Sequence, residues 1–162
     1  MKPWMKVLIV TLLVGLPTVP LSQILWPSPA AVDMSAAPTS LQLGLLIVLS
    51  LCEGLAFGLG VAFLLFGLPL VRRVTGEAPL LTWATYASIA WWLVSWWSHD
   101  NFHRVNGDLG GLIMIEYGYH ITLMLASAIV ALAFVRLFSR AGAEPEARAA
   151  LIPTTHPEAA VR

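Results

Sequence analysis

The sequence predicts an all-α integral membrane protein that folds as a bundle of four transmembrane helices. Of its 162 residues, 58% are hydrophobic and only 11% are charged, whereas soluble domains have about 45–50% and about 25%. The mean hydropathy is +0.79. So few charged side chains cannot cover the surface of a small water-soluble domain. The composition therefore argues against a soluble enzyme, a disordered chain and a nucleic-acid-binding protein.

Four apolar stretches are long enough to cross a bilayer, which takes about 20 helical residues. They cover residues 7–26, 41–71, 80–104 and 109–138. Together they predict one transmembrane domain, residues 1–138. Residues 139–162 are rich in alanine, proline and glutamate and lack hydrophobic periodicity. This composition predicts a disordered cytoplasmic tail.

The N-terminal stretch also has the layout of a signal peptide. Two lysines precede an uncharged apolar run, and Ser28-Pro29-Ala30 offers small residues for cleavage. Two observations favour a retained first helix instead. Apolar residues continue as far as Trp26, and a proline lies inside the cleavage site. We therefore expect a first transmembrane helix that Pro17 and Pro20 kink.

The basic residues predict the orientation of the four spans, because lysine and arginine concentrate in cytoplasmic loops. All of them except Arg104 lie before the first span, between the second and third, or at and beyond the C-terminal end of the fourth. Both termini are therefore expected in the cytoplasm of a multi-pass protein of the cell membrane. Its expected surroundings are the lipid bilayer, with other membrane subunits or a second copy of the chain as further partners.

Two patterns within the spans predict helix packing. Gly54, Gly58 and Gly60 form a face of small residues on the second span, which lets a neighbouring helix approach closely. The doublets Trp91-Trp92 and Trp96-Trp97 are typical of packed or interfacial aromatic side chains.

Several ionisable side chains lie within or beside the spans, where such groups are costly and usually have a partner. They are Glu53, His99, Asp100, His103, Glu116 and His120. His99 and His103 are four residues apart and share one helix face. The same spacing places Glu116 and His120 on one face of the next helix. Counted from a turn at Gly107, His99 and Glu116 lie at nearly equal depth, so we expect the group to converge in the outer half of the bilayer.

Imidazole and carboxylate groups are ligands of copper, zinc and iron. These side chains therefore predict a transition-metal site, with Glu53 or Asp100 beside the direct ligands. Copper is preferred, because the site is rich in histidine and faces the oxidising side, and zinc or iron comes next. Cys52 is the only cysteine, which excludes a thiolate cluster within one chain. Such ligands suit either an oxidoreductase or a metal-handling protein, and they do not identify catalytic residues.

Two alternatives use the same residues differently. In a b-type haem protein, His99 or His103 would pair with His120 as axial ligands, although haem needs none of the carboxylates. In a protein without a cofactor, Glu53, Glu116 and His120 would relay protons or cations. Such a chain could also serve as an accessory subunit of a larger membrane complex.

Overall fold

The structure is a computed structural model that describes residues 1–26, 39–105 and 109–150. These residues form helices and contain no strand, which confirms the predicted all-helical class. Within these described ranges, five helices follow one another. They are α1 (Pro3–Leu25), α2 (Ser40–Phe66), α3 (Leu68–Thr75), α4 (Pro79–Val105) and α5 (Leu109–Ala150).

Three of the helices are long and apolar enough to cross a membrane: α1, α2 and the segment Gly110–Ser139 of α5. The predicted span 80–104, which corresponds to α4, is not among them. At 27 residues α4 has the length for a span, roughly 40 Å at the usual helical rise. Its tryptophans, serines and threonines make it less apolar than the other three.

The predicted second span, residues 41–71, is two helices in the structure. α2 ends at Phe66 and α3 begins at Leu68, with Gly67 between them. The cause is Pro69 in the first turn of α3, since proline lacks an N–H and its ring clashes with the preceding helical turn. The amide of Gly67 closes α2 by donating to the carbonyl oxygen of Phe63 at 2.7 Å.

The last helix continues past the predicted boundary at residue 138 and ends at Ala150. The first part of the predicted disordered tail is therefore helical, consistent with its many alanines, which are the strongest helix formers. The rest of the tail, residues 151–162, lies outside the described residues. The same is true of the candidate cleavage site at 28–30 and the predicted turn at Gly107.

Glycines bring α1 and α2 into backbone contact. A Cβ atom on Gly15 would lie 2.7 Å from the carbonyl oxygen of Gly54, and one on Gly58 would lie 2.7 Å from the amide nitrogen of Gly15. No side chain fits between these backbones. Thr18 completes the contact, because it is buried and its hydroxyl donates to the carbonyl oxygen of Gly15 at 2.5 Å. Of the predicted small-residue face, Gly54 and Gly58 thus lie at the α1–α2 interface, whereas Gly60 faces Leu93 and Val94 of α4.

Trp97 joins α4 to the first two helices. Its indole N–H donates to the hydroxyl of Ser22 on α1 at 2.8 Å. Its ring meets Trp26 edge-on, with centroids 5.0 Å apart, and packs on Phe57 of α2 at 4.7 Å. Trp97 thus has the packing role that the sequence predicts for the tryptophan doublets.

The long helices lie side by side in chain order. α1 packs chiefly on α2, α2 on α4, and α4 on α5, while α3 touches α2, α4 and α5. Within the described residues, α5 has no extensive contact with α1 or α2, so the row does not close into a ring. The predicted four-helix bundle is therefore not confirmed. This order leaves the α4–α5 pair at one edge of the molecule.

Candidate metal centre

The C-terminal turns of α4 and the first turns of α5 carry five of the six predicted ligands, and four of these five come together. His99 and His103 are one turn apart on α4, with ring centroids separated by 4.6 Å. Glu116 and His120 have the same spacing on α5. Because the two helices pack against each other, these four side chains meet at the interface between them.

Three ligand atoms come together at the centre of this group. The Nε2 atoms of His99 and His103 lie 3.3 Å apart. Oε1 of Glu116 lies 3.2 Å from Nε2 of His99, and it also contacts Nε2 of His103 directly. Two imidazole nitrogens and one carboxylate oxygen thus form a small triangle that can hold a metal ion. We call His99, His103 and Glu116 the three-ligand group.

The size of the triangle suits a transition metal. Tetrahedral ligands bonded at about 2.0–2.2 Å are separated from one another by about 3.3–3.6 Å. The His99–His103 edge, at 3.3 Å, and the His99–Glu116 edge, at 3.2 Å, are close to that value. The His103–Glu116 edge is shorter, so the ion would replace a direct contact between these two side chains. Three protein ligands leave a fourth position for water or a substrate, as in catalytic zinc sites.

The three-ligand group is neither fully buried nor fully open. The side chain of His99 is 13% exposed, and those of Glu116 and His103 are 33% and 36% exposed. His99 is therefore held by its surroundings, while the other two ligands can be reached from outside the helix pair. An ion could enter without unfolding the hairpin.

His120 contacts the opposite oxygen of Glu116. Its Nδ1 lies 3.0 Å from Oε2 of that carboxylate and 2.8 Å from the backbone carbonyl oxygen of the same residue. Both oxygens only accept, so Nδ1 carries the proton and donates to them. His120 is also the most exposed of the four side chains, at 60%. This arrangement suits a residue that orients a ligating carboxylate better than a direct ligand.

Glu53 and Asp100, the other two predicted ligands, are not part of the three-ligand group. Asp100 follows His99 by one residue and so points about 100° away around α4. Glu53 belongs to α2, which α4 separates from α5 in the row of helices. Both side chains are half-buried, and both have interaction partners.

Tyr119 is a neighbour of the site, and its sequence position alone predicts no defined role for it. Its ring stacks on the imidazole of His99, with centroids 3.7 Å apart and an interplanar angle of 12°. Trp96 closes the other side of Tyr119 edge-on at 5.7 Å. The stack fixes the plane of the His99 ring. The available signal was its position three residues after Glu116, which places both on neighbouring surfaces of α5.

Comparison with known proteins gives no relative: no family model, curated protein or solved structure matches the chain. The fold and the site define the protein at the level of a class. It is a helical protein with three candidate membrane spans and a histidine–glutamate group that can hold a metal ion.

Proposed function

We propose that this protein is a multi-pass protein of the cell membrane that binds one transition-metal ion through the three-ligand group. The observation that carries the proposal is the triangle of two imidazole nitrogens and one carboxylate oxygen on facing helices. Copper is the preferred ion, because histidine nitrogen suits it and because divalent copper binds most tightly in the first-row series. Zinc and iron are the next candidates.

The open coordination position decides what such a site can do. A bound ion with a free position can polarise a substrate, activate water or change oxidation state. This feature suits both an oxidoreductase whose substrate binds the metal and a protein that passes its metal on. The exposure of His103 and Glu116 supports either role, since substrate or incoming metal reaches the ion from that side.

In the proposed membrane arrangement α4 also crosses the membrane, as the third of four spans, and both termini are cytoplasmic. The basic residues support this orientation: Arg72 and Arg73 occupy the last turn of α3, next to the start of α4. The three-ligand group lies at the opposite end of α4, and therefore in the outer half of the bilayer.

The orientation can be tested with a reporter enzyme that is active only outside the cytoplasm. We expect it to be active when inserted at Asp33 and inactive when fused after Arg162. An insertion at Glu77, between α3 and α4, is the matched control and is expected to be inactive. Equal activity at Asp33 and at the C-terminus would contradict four spans.

The metal can be tested by elemental analysis and a visible spectrum of the detergent-purified protein. We expect one equivalent of copper, or of zinc or iron, without the intense blue absorption band of haem. A haem spectrum would select the b-type haem alternative instead. The geometry disfavours that outcome, because Glu116 contacts both His99 and His120 and fills the gap between them.

A proton relay is the second candidate, and one observation favours it. Glu116 joins His99 on one carboxylate oxygen to His120 on the other, which makes a continuous hydrogen-bonded path from a half-buried ring to an exposed one. Protein that is fully folded and free of stoichiometric metal after purification and after titration with copper, zinc and iron would select this relay. It would also fit an accessory subunit.

A further inference from the structure

A cavity of about 470 Å³ lies between α4 and α5, against the rings of His99 and Tyr119. Its walls are almost entirely apolar and include Trp91, Phe102 and Met114. The volume falls within the range of small-molecule sites, about 300–1,000 Å³. The rim residues Phe102 and Met114 are exposed, at 46% and 72%. In a membrane the cavity therefore opens toward lipid, and its ligand would be soluble in the bilayer.

Two buried hydroxyl groups give this apolar cavity a polar anchor. Ser95 and Tyr119 both line it, and neither hydroxyl has a hydrogen-bond partner among the described residues. The two lie near each other without meeting hydrogen-bond geometry. Buried hydroxyls are nearly always paired with protein, water or ligand. Because the two hydroxyls are neighbours, one can donate to the other after a small rotation. One O–H group of the pair then remains, and an acceptor that enters the cavity would satisfy it.

We propose that this cavity binds a molecule of the quinone class. Its ring would lie among Trp91, Met114 and Tyr119, and one ring carbonyl would accept a hydrogen bond from the Ser95–Tyr119 hydroxyl pair. An acyl chain fills apolar space equally well, but it has no acceptor for those hydroxyls. Flat rings also gain contacts with aromatic side chains and with methionine sulfur.

The cavity and the three-ligand group share the His99–Tyr119 stack. A quinone in the cavity would therefore lie directly beside a bound metal ion. Its role as a substrate of the metal centre rests on the proposed function. Binding of the quinone depends only on the cavity, so the quinone site and the metal site can be disproved separately.

Gly118 provides the central test, with decylubiquinone as the probe. This quinone has a fully substituted ring, so it does not add to the exposed thiol of Cys52. Gly118 lines the cavity, and a Cβ atom there would meet no atom within 4 Å. Gly118→Leu should therefore fill the cavity without disturbing the fold. We expect affinity at least ten-fold weaker than wild type, measured by tryptophan fluorescence quenching in nanodiscs of fixed lipid composition.

Gly44→Leu is the matched control, because a Cβ on Gly44 of α2 also meets nothing within 4 Å and that residue is not part of the cavity. It should bind the quinone like wild type.

A second pair of variants tests the anchor. Ser95→Ala should weaken binding about three- to ten-fold, whereas Thr85→Val, which removes another buried unpaired hydroxyl of α4, should leave it unchanged.

The titrations are made with and without a strong metal chelator, and metal content is measured on the same samples. Quinone binding that persists in chelator and disappears in Gly118→Leu supports the inference, whatever the metal content. If wild type and Gly118→Leu bind the quinone equally, the inference is overturned, even where stoichiometric metal is present. Loss of a co-purified lipid from Gly118→Leu with unchanged quinone affinity would overturn it in favour of an acyl chain.

Discussion

Replacement of Glu116 by glutamine is expected to abolish stoichiometric metal binding. This carboxylate contacts all three histidines of the site: His99 and His103 through one oxygen and His120 through the other. Glutamine keeps the size of the side chain but removes the negative charge that holds a cation. We expect an affinity at least about 100-fold lower, since even loss of an outer partner typically costs about 10–100-fold. Metal retained after dialysis against a graded series of chelators measures the change.

Two further variants in that experiment distinguish a direct metal ligand from a residue that only orients a ligand or lies outside the group. His120→Ala should weaken metal binding only about 10–100-fold, because this residue orients the carboxylate rather than contacting the ion. Glu53→Gln removes a half-buried carboxylate outside the three-ligand group and should retain the metal. Full occupancy in Glu116→Gln would remove the proposed site, and the histidine–glutamate cluster would then be better described as a hydrogen-bonded relay.

The second large effect is expected at the α1–α2 interface. A Cβ atom on Gly58 would lie 2.7 Å from the amide nitrogen of Gly15 and 2.9 Å from its Cα, and backbone atoms cannot move aside as side chains do. Gly58→Ala should force the helices apart and destabilise the protein by about 1–3 kcal/mol, the usual range for overpacking. Thermal unfolding in detergent, followed by circular dichroism, gives the change in melting temperature.

Gly44→Ala is the matched substitution on the same helix. Nothing lies within 4 Å of a Cβ atom there, and alanine is a better helix former than glycine by up to about 1 kcal/mol. The melting temperature of this variant should be unchanged or slightly raised. Equal melting temperatures for the Gly58 and Gly44 variants would mean that α1 and α2 do not pack as described.

The features that the sequence could predict are those set by local spacing. Composition together with the length of the apolar stretches indicates an all-helical chain. The four-residue spacing of His99 and His103, repeated by Glu116 and His120, is enough to put each pair on one helix face. Pro69 also indicates a helix break, but it lies within a long apolar run that by itself predicts one continuous span.

The features that could not be predicted depend on helix order and helix rotation. Whether Glu53 reaches the site depends on which helix lies between α2 and α5, and no periodicity encodes that order. The roles of His120 and Tyr119 depend on how α5 is rotated against α4. A small rotation would exchange which side chain faces the two α4 histidines, so spacing alone does not distinguish a ligand from its support.

The position of the three-ligand group within one helical hairpin bears on how the protein is assembled. All its ligands come from α4 and α5, which are consecutive in the chain. Closing a short loop costs little conformational entropy, and contacts between neighbouring segments form early. The ligands can therefore meet as soon as this hairpin forms, before or without correct docking of the N-terminal helix pair. The loss of stability in Gly58→Ala and the loss of metal affinity in Glu116→Gln should then be independent of each other. The double variant should show both losses, each about as large as in the corresponding single variant.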